Sequence, residues 1–254
     1  MVLTLRSFLI VCPMLFLAGF IDSIGGGGGL ISLPAYLFAG LPVHAAVATN
    51  KLSSSCGSTM ATLRFIKNRL ISFRLVLPGI LTALVGSAVG ARLSLLASEA
   101  LIRALLLPVL PAAAFVVLNP RFFPDGGQDR PVTDRRTVLC CAAASLLIGA
   151  YDGFYGPGTG TFLIIAFSVF ARLSTKAANA QAKAINLASN LSSLAIFLRG
   201  GQVVITLGLA AAACNMLGNY LGSGLVLSRG SRVVRPVILC VLALLLIKLL
   251  TELL

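Results

Sequence analysis

The chain has 254 residues, of which 58% are hydrophobic and only 11% charged, and its mean hydropathy is +1.00. A soluble domain carries about 25% charged residues, so a water-facing globular fold is excluded and an all-α polytopic membrane protein is expected. The net charge of +13 is accounted for by basic loops facing the cytoplasm. Nucleic-acid binding would need a basic polar domain, and the sequence has none.

Apolar runs that reach or approach the ~20 residues needed to cross a bilayer lie at 8–24, 29–43, 45–63, 75–91, 100–118, 138–151, 158–171, 177–198, 202–227 and 234–250. About 8–10 membrane segments are therefore expected. Arg6 ahead of the first run resembles the start of a signal peptide. No small-x-small cleavage site precedes Asp22, however, so the run reads as the first membrane segment.

That first run ends in GFIDSIGGGGGLISLP from Gly19, and a second stretch from Gly149 reads GAYDGFYGPGTGTFL. In both, an aspartate is followed by glycines four and six residues later: Asp22, Gly26, Gly28 and Asp152, Gly156, Gly158. Beyond these, Lys51 matches Lys183, Phe65 matches Phe197, Gly86 and Gly90 match Gly218 and Gly222, and Arg103 matches Arg235, all at a constant offset of 132. The chain is a duplicated module. Residues 1–118 form the first transmembrane repeat, 119–137 a polar linker loop and 138–254 the second repeat. The linker's proline, glycine and mixed charge mark it as a loop.

Loop charges speak to orientation. Arg64, Lys67, Arg69 and Arg74 cluster after the third run, whereas the matching loop of the second half has Arg199 alone and the next one gathers Arg229, Arg232 and Arg235. A basic bias that moves to the neighbouring loop points to repeats inserted in opposite directions. A parallel arrangement with four crossings per half stays open.

Of seven acidic residues, only Asp22 and Asp152 lie inside apolar stretches. A charge at the bilayer centre costs at least ~2.5–3.5 kcal/mol, so its repetition asks for a role: proton coupling at a substrate site, or helix capping beside the glycines. Gly25–Gly29 and Gly156–Gly160 break the helix, and a half-helix starting near the midplane would aim its N–H groups and positive dipole at an anion. Close helix packing through small residues is the alternative. No Lys-Ser/Thr follows the glycines, which excludes a P-loop.

Lys51 shares a helical face with Ser55, Ser58 and Thr62, and Lys183 shares one with Asn179, Asn186, Asn190 and Ser193. Each half thus supplies a polar stripe of the kind that lines a water-filled path. The candidate substrate-binding residues are Lys51, Lys183, Asn50, Ser55, Asn186, Asn190, Gly26, Gly28, Gly156 and Gly158. The bland alternative pairs each lysine with the aspartate of its own half, as a strut between two segments. His44 has no second ligand for a metal, and the six cysteines lack metal or redox spacing. No cofactor or metal is expected. Nor is an enzyme, since no nucleophile–base pair stands out.

The first copy, AGFIDSIGGGGGLISLP followed by AVATNKL, resembles the N-terminal module of the TauE/SafE sulfite exporter family. The second, YDGFYGPGTGTF followed by AQAKAINLASNL and FLRGGQV, resembles its C-terminal module. That resemblance covers nearly the whole chain except the linker. It implies transport of sulfite, organosulfonates or related small oxyanions across the bacterial cell inner membrane. The expected partners are a small anionic substrate and the lipid bilayer, with a homodimer as one option for assembly. An intramembrane enzyme or assembly factor, or a carboxylate transporter on the same scaffold, remains the alternative.

Overall fold

The computed structural model describes residues 4–98 and 134–253, with side chains described as far as Ala243 except that of Leu242. The run at 100–118 and most of the expected linker lie outside these residues. The linker's last three residues, 135–137, form the first turn of a helix rather than loop. Among the described residues, helix is the sole regular element of any length: α1 (Leu5–Gly25), α2 (Gly29–Phe38), α3 (Val43–Lys67), α4 (Phe73–Leu96), α5 (Arg135–Phe154), α6 (Thr159–Phe170), α7 (Thr175–Arg199), α8 (Ile205–Arg229) and α9 (Ser231–Leu253).

Three of these, α1, α4 and α5, are long and apolar enough to cross a membrane by length and composition. Their outward faces are rows of exposed apolar side chains, such as Leu9, Leu81, Val85 and Leu147, as contact with lipid requires. α2 and α6 have 10 and 12 residues. At 1.5 Å per residue they reach about half of the ~30 Å hydrocarbon core. α3 and α7, 25 residues each, are more polar because their stripes face inward: Lys51, Ser58, Thr62, Lys183, Asn186 and Asn190 are all buried.

Local chemistry sets the breaks. α1 stops where Gly26 turns to φ +81°, its N–H bonded to the Asp22 carbonyl at 3.0 Å. α5 stops before Gly156 at φ +99°, and α6 begins after Gly158 at φ +81°. At the other end of α5, Asp134 accepts the Thr137 N–H at 3.2 Å. The hydrogen bonds from Thr137 hold this exposed N-cap carboxyl below the usual carboxylate range.

The halves are interlocked. α1 packs along α8, and α5 along α4, so the first helix of each half lies against the last full-length matched helix of the other. The repeated glycines are the contact points: Gly86 and Gly90 admit the α5 backbone at Leu146 and Ala150, while Gly218 and Gly222 admit the α1 backbone at Phe16 and Phe20. Such close backbone approach is how helices associate where lipid removes the hydrophobic drive.

Helix directions follow from the same contacts. Along α4 and α7, Ser72 meets Gln181, Ser87 meets Ser189 and Leu95 meets Gly200, so the two run parallel. α3 runs the opposite way to α4: they join through residues 68–72, and His44 at the start of α3 bonds the Ser94 and Ala97 carbonyls at the end of α4, at 3.1 and 3.2 Å. α3 and α7, which carry the matched lysines, therefore run in opposite directions.

Candidate functional site

The two glycine breaks touch. A Cβ on Gly26 would run into the backbone of Gly160, and a Cβ on Gly29 would sit 3.1 Å from Pro157 Cα. Thr161 Oγ1 donates to the Gly25 carbonyl at 2.6 Å, and Asn179 Nδ2 donates to the Ser23 and Ile24 carbonyls at 2.9 and 3.1 Å. The second half thereby satisfies carbonyls that the end of α1 leaves without helical partners.

Beside this crossing is a small polar cavity of about 20 Å³, enough for about one water and too small for a sulfonate without movement of its walls. It is lined by Asp22, Gly26, Gly29, Asn50, Lys51, Ser54, Asp152, Gly156, Thr159, Gly160, Asn186 and Asn190. α1, α2 and α3 come from the first half and α5, α6 and α7 from the second, so the cavity sits where the halves meet. Gly29, Thr159 and Gly160, all in the lining, are the opening residues of the two half-helices.

The charges pair across the halves. Lys51 Nζ lies 2.9 Å from Asp152 Oδ1, and Lys183 Nζ donates to Asp22 Oδ2. The expected alternative of each lysine pairing within its own half is overturned. The interlock of α1 with α8 and of α5 with α4 carries each aspartate toward the other repeat's lysine helix. Both lysine side chains are 2% exposed. Isolated charges buried this deeply would be very costly, and the crossed pairs offset that cost.

The two pairs differ. The Asp152 side chain is 3% exposed, and its Oδ2 also accepts the Ser189 hydroxyl. The Asp22 side chain is 15% exposed, and its second oxygen takes only a long 3.3 Å bond from the Gly28 N–H. Ser189 has Gly57 at the matching position of the first repeat, so Asp22 cannot have an equivalent hydroxyl partner.

Asn50, Lys51, Asn186, Asn190, Gly26, Gly156, Asp22 and Asp152 are brought together around the cavity, and Lys183 stands behind it on Asp22. Gly28 packs on the Asp22 side chain, and Gly158 caps α6. Ser55 is turned away, its hydroxyl bonded to the Lys51 carbonyl at 2.7 Å. Its neighbour Ser54 is in the lining instead, bonded to Asn50 Oδ1 at 3.3 Å. Sequence reasoning missed Ser54 and Ser189; Gly29, Thr159 and Gly160 lie within the two breaks it named, Gly25–Gly29 and Gly156–Gly160, but were not singled out as binding residues. Ser189 carried a usable signal, since it is three residues from Asn186 on the same polar stripe.

An all-helical membrane protein with two short half-helices meeting at a buried, charge-paired cavity has the construction of a membrane transporter. The family model described as "Sulfite exporter TauE/SafE" matches residues 11–249. The chain belongs to the TauE/SafE sulfite exporter family. It is 36% identical over 260 residues to the probable membrane transporter protein YfcA of Escherichia coli strain K12, with 98% of this chain and 94% of that protein covered. A probable membrane transporter protein of Haemophilus influenzae is 35% identical over 225 residues, covering 88% and 86% of the two chains. A third relative, the probable membrane transporter protein ORF9 of a Sinorhizobium species, is 35% identical over 249 residues, covering 98% and 93%. No solved structure matches. The family and these relatives are named as transporters, not enzymes, and the chain is a multi-pass protein of the bacterial inner membrane.

Proposed function

We propose that this protein moves a small anion, sulfite, an organosulfonate or a related sulfur-containing oxyanion, through a site enclosed by two inverted repeats, residues 1–118 and 138–254, joined by the linker 119–137. One observation carries the reading. Two repeat-equivalent lysines are each neutralised by the other repeat's aspartate; Lys51 and both aspartates line one polar cavity bordered by the starts of both half-helices, and Lys183 stands behind Asp22.

The opposite directions of α3 and α7 support the inverted arrangement. Each half-helix start contributes positive dipole, Asn50, Asn186 and Asn190 contribute amide donors, and the lysines contribute the counter-charge. Entry of an oxyanion requires the helix walls to part, and rocking of one repeat against the other would open the cavity to each side in turn. Sulfur oxyanions are favoured as the class by the family's name.

The test is flux into proteoliposomes with a panel of sulfite, thiosulfate, sulfonates and carboxylates. Saturable flux of a sulfur oxyanion, competed by other sulfur oxyanions, is expected. Saturable flux of carboxylates alone would move the substrate to the alternative class, and absence of any anion flux would overturn the proposal.

A further inference from the structure

The cavity is electrically balanced. The charged groups that face Asp22 among the described residues are Lys183 from α7 and, across the cavity, Lys51 from α3 and Asp152 from α5. α2, α6, α8 and α9 bring no charged residue to its lining. With both lysines protonated and both aspartates ionised, the four groups sum to zero. A monoanion entering such a closed site would leave one negative charge uncompensated in a medium of low dielectric, which is strongly unfavourable. Neutrality returns when one carboxylate takes a proton.

We infer that Asp22 alone is that proton acceptor, that Lys183 is the cation it releases to the substrate, and that the site therefore couples one proton to one monoanionic oxyanion. This rests on the anion-transport reading and deepens it. The inequivalence of the two pairs decides which carboxylate exchanges. Asp152 also borders the cavity but is almost wholly buried and holds two partners, Lys51 and the Ser189 hydroxyl. Taking up a proton there would break an ion pair and disturb a hydrogen bond. Asp22 borders the cavity with its side chain five times as exposed (15% against 3%). Its other oxygen is held only by the 3.3 Å bond from Gly28.

The exchange balances. A proton from the aqueous side binds an Asp22 oxygen, the Lys183–Asp22 ion pair is lost, and Lys183 keeps its own proton and its charge. The substrate oxyanion then takes the carboxylate's place as counter-ion. On release the anion leaves Lys183, Asp22 gives up its proton to the other side, and the pair re-forms. The Lys51–Asp152 pair stays intact throughout as a strut between α3 and α5. A dianion would need a second protonation at the doubly held Asp152, so monoanions such as sulfonates are favoured over dianions such as sulfate.

The test uses the intact protein in proteoliposomes, with methanesulfonate as monoanion, sulfate as dianion, and two drives applied separately: a pH gradient and a potassium diffusion potential. Methanesulfonate flux is expected to follow the pH gradient, ignore the potential and be accompanied by one proton per anion, while sulfate is carried at least about tenfold more slowly. In Asp22→Asn, which keeps the side chain's shape, the pH-gradient drive should vanish and any remaining flux should become potential-driven. Potential-driven methanesulfonate flux without proton movement in the unmodified protein would overturn the inference while leaving anion transport standing. So would pH-driven flux surviving in Asp22→Asn. If Asp22→Asn does not fold, proton uptake on methanesulfonate binding by the solubilised, unmodified protein decides: one proton per anion supports the coupling, none overturns it. Failure of the unmodified protein to carry or bind any anion would instead remove the transport reading, and the inference with it.

Discussion

Lys51 of the first repeat is bonded to Asp152 of the second, at 2.9 Å and almost wholly buried, rather than to Asp22 of its own repeat. Lys183 and Asp22 make the reciprocal pair. The duplicated motif is thus not two copies of one site. Each copy contributes half of each ion pair, and neither half is electrically complete alone.

Lys51→Met should be strongly destabilising, by roughly 3–5 kcal/mol, because it leaves Asp152 buried and unpaired. The double variant Lys51→Met with Asp152→Leu should recover much of that loss, since no uncompensated charge remains. Thermal unfolding of the four proteins of this cycle in detergent measures the coupling. Strictly additive effects would mean that the pair is not energetically linked.

Lys51→Ala and Lys183→Ala should each abolish or strongly impair anion flux in proteoliposomes, the first through loss of the strut and the second through loss of the substrate's counter-charge. Lys183→Arg should rescue only partly, because a broad planar guanidinium does not replace a compact ammonium beside a cavity of about 20 Å³. Unchanged flux in both alanine variants would remove the lysines from the transport site.

The glycines at the crossing should be the least replaceable. Gly26→Ala places a methyl group into the Gly160 backbone at φ +81°, combining left-handed strain with overpacking for a cost of about 3 kcal/mol or more. Gly160→Ala meets Gly26 Cα at 2.6 Å. Gly40→Ala is the control: its φ is +89° but nothing lies within 4 Å, so only the conformational cost of about 1–2 kcal/mol applies. Comparable melting temperatures for Gly26→Ala and Gly40→Ala would deny the contact between the two breaks.

Much of this organisation was legible in the sequence, and the failures have physical reasons. The offset of 132 between Lys51 and Lys183 exposed the duplication, and the Asp-to-glycine spacing located both breaks. Partner choice was not legible, because a repeat presents each lysine with two aspartates in motifs of the same spacing. Only the packing of Gly86 and Gly90 on α5, and of Gly218 and Gly222 on α1, selects between them. Ser55 rather than Ser54 was expected at the site because i+4 from Lys51 lies on the same face as i+3. The bond from Ser55 to the Lys51 carbonyl turns that hydroxyl back onto its own helix, as serine does in apolar surroundings.

Two arginines sit where the other repeat has glycine. Arg69 has φ 54° and its match Gly201 has φ 66°, while Arg172 has φ 54° and its match Gly40 has φ 89°. A left-handed conformation costs a residue with a Cβ about 1–2 kcal/mol, and glycine's larger unfolded-state entropy returns part of that. Arg69→Gly and Arg172→Gly should therefore raise stability slightly, by about 0.5–1 kcal/mol each. Thermal melts that fall by several degrees would show that the arginine side chains hold contacts worth more than the strain.

Orientation gives the last prediction. α3 ends near Asn68 and α7 near Gly200, and these are matching positions at an offset of 132. α4 is parallel to α7 and runs opposite to α3, so the two helix ends should emerge on opposite sides of the membrane. Single cysteines placed just after Asn68 and just after Gly200, in a protein whose six native cysteines have been replaced, should label with an impermeant maleimide from opposite faces. The first position, in the loop with Arg64, Lys67, Arg69 and Arg74, should be the cytoplasmic one under the positive-inside rule. Labelling of both from one face would establish parallel repeats. A rocking mechanism built on inverted halves would then have to be abandoned.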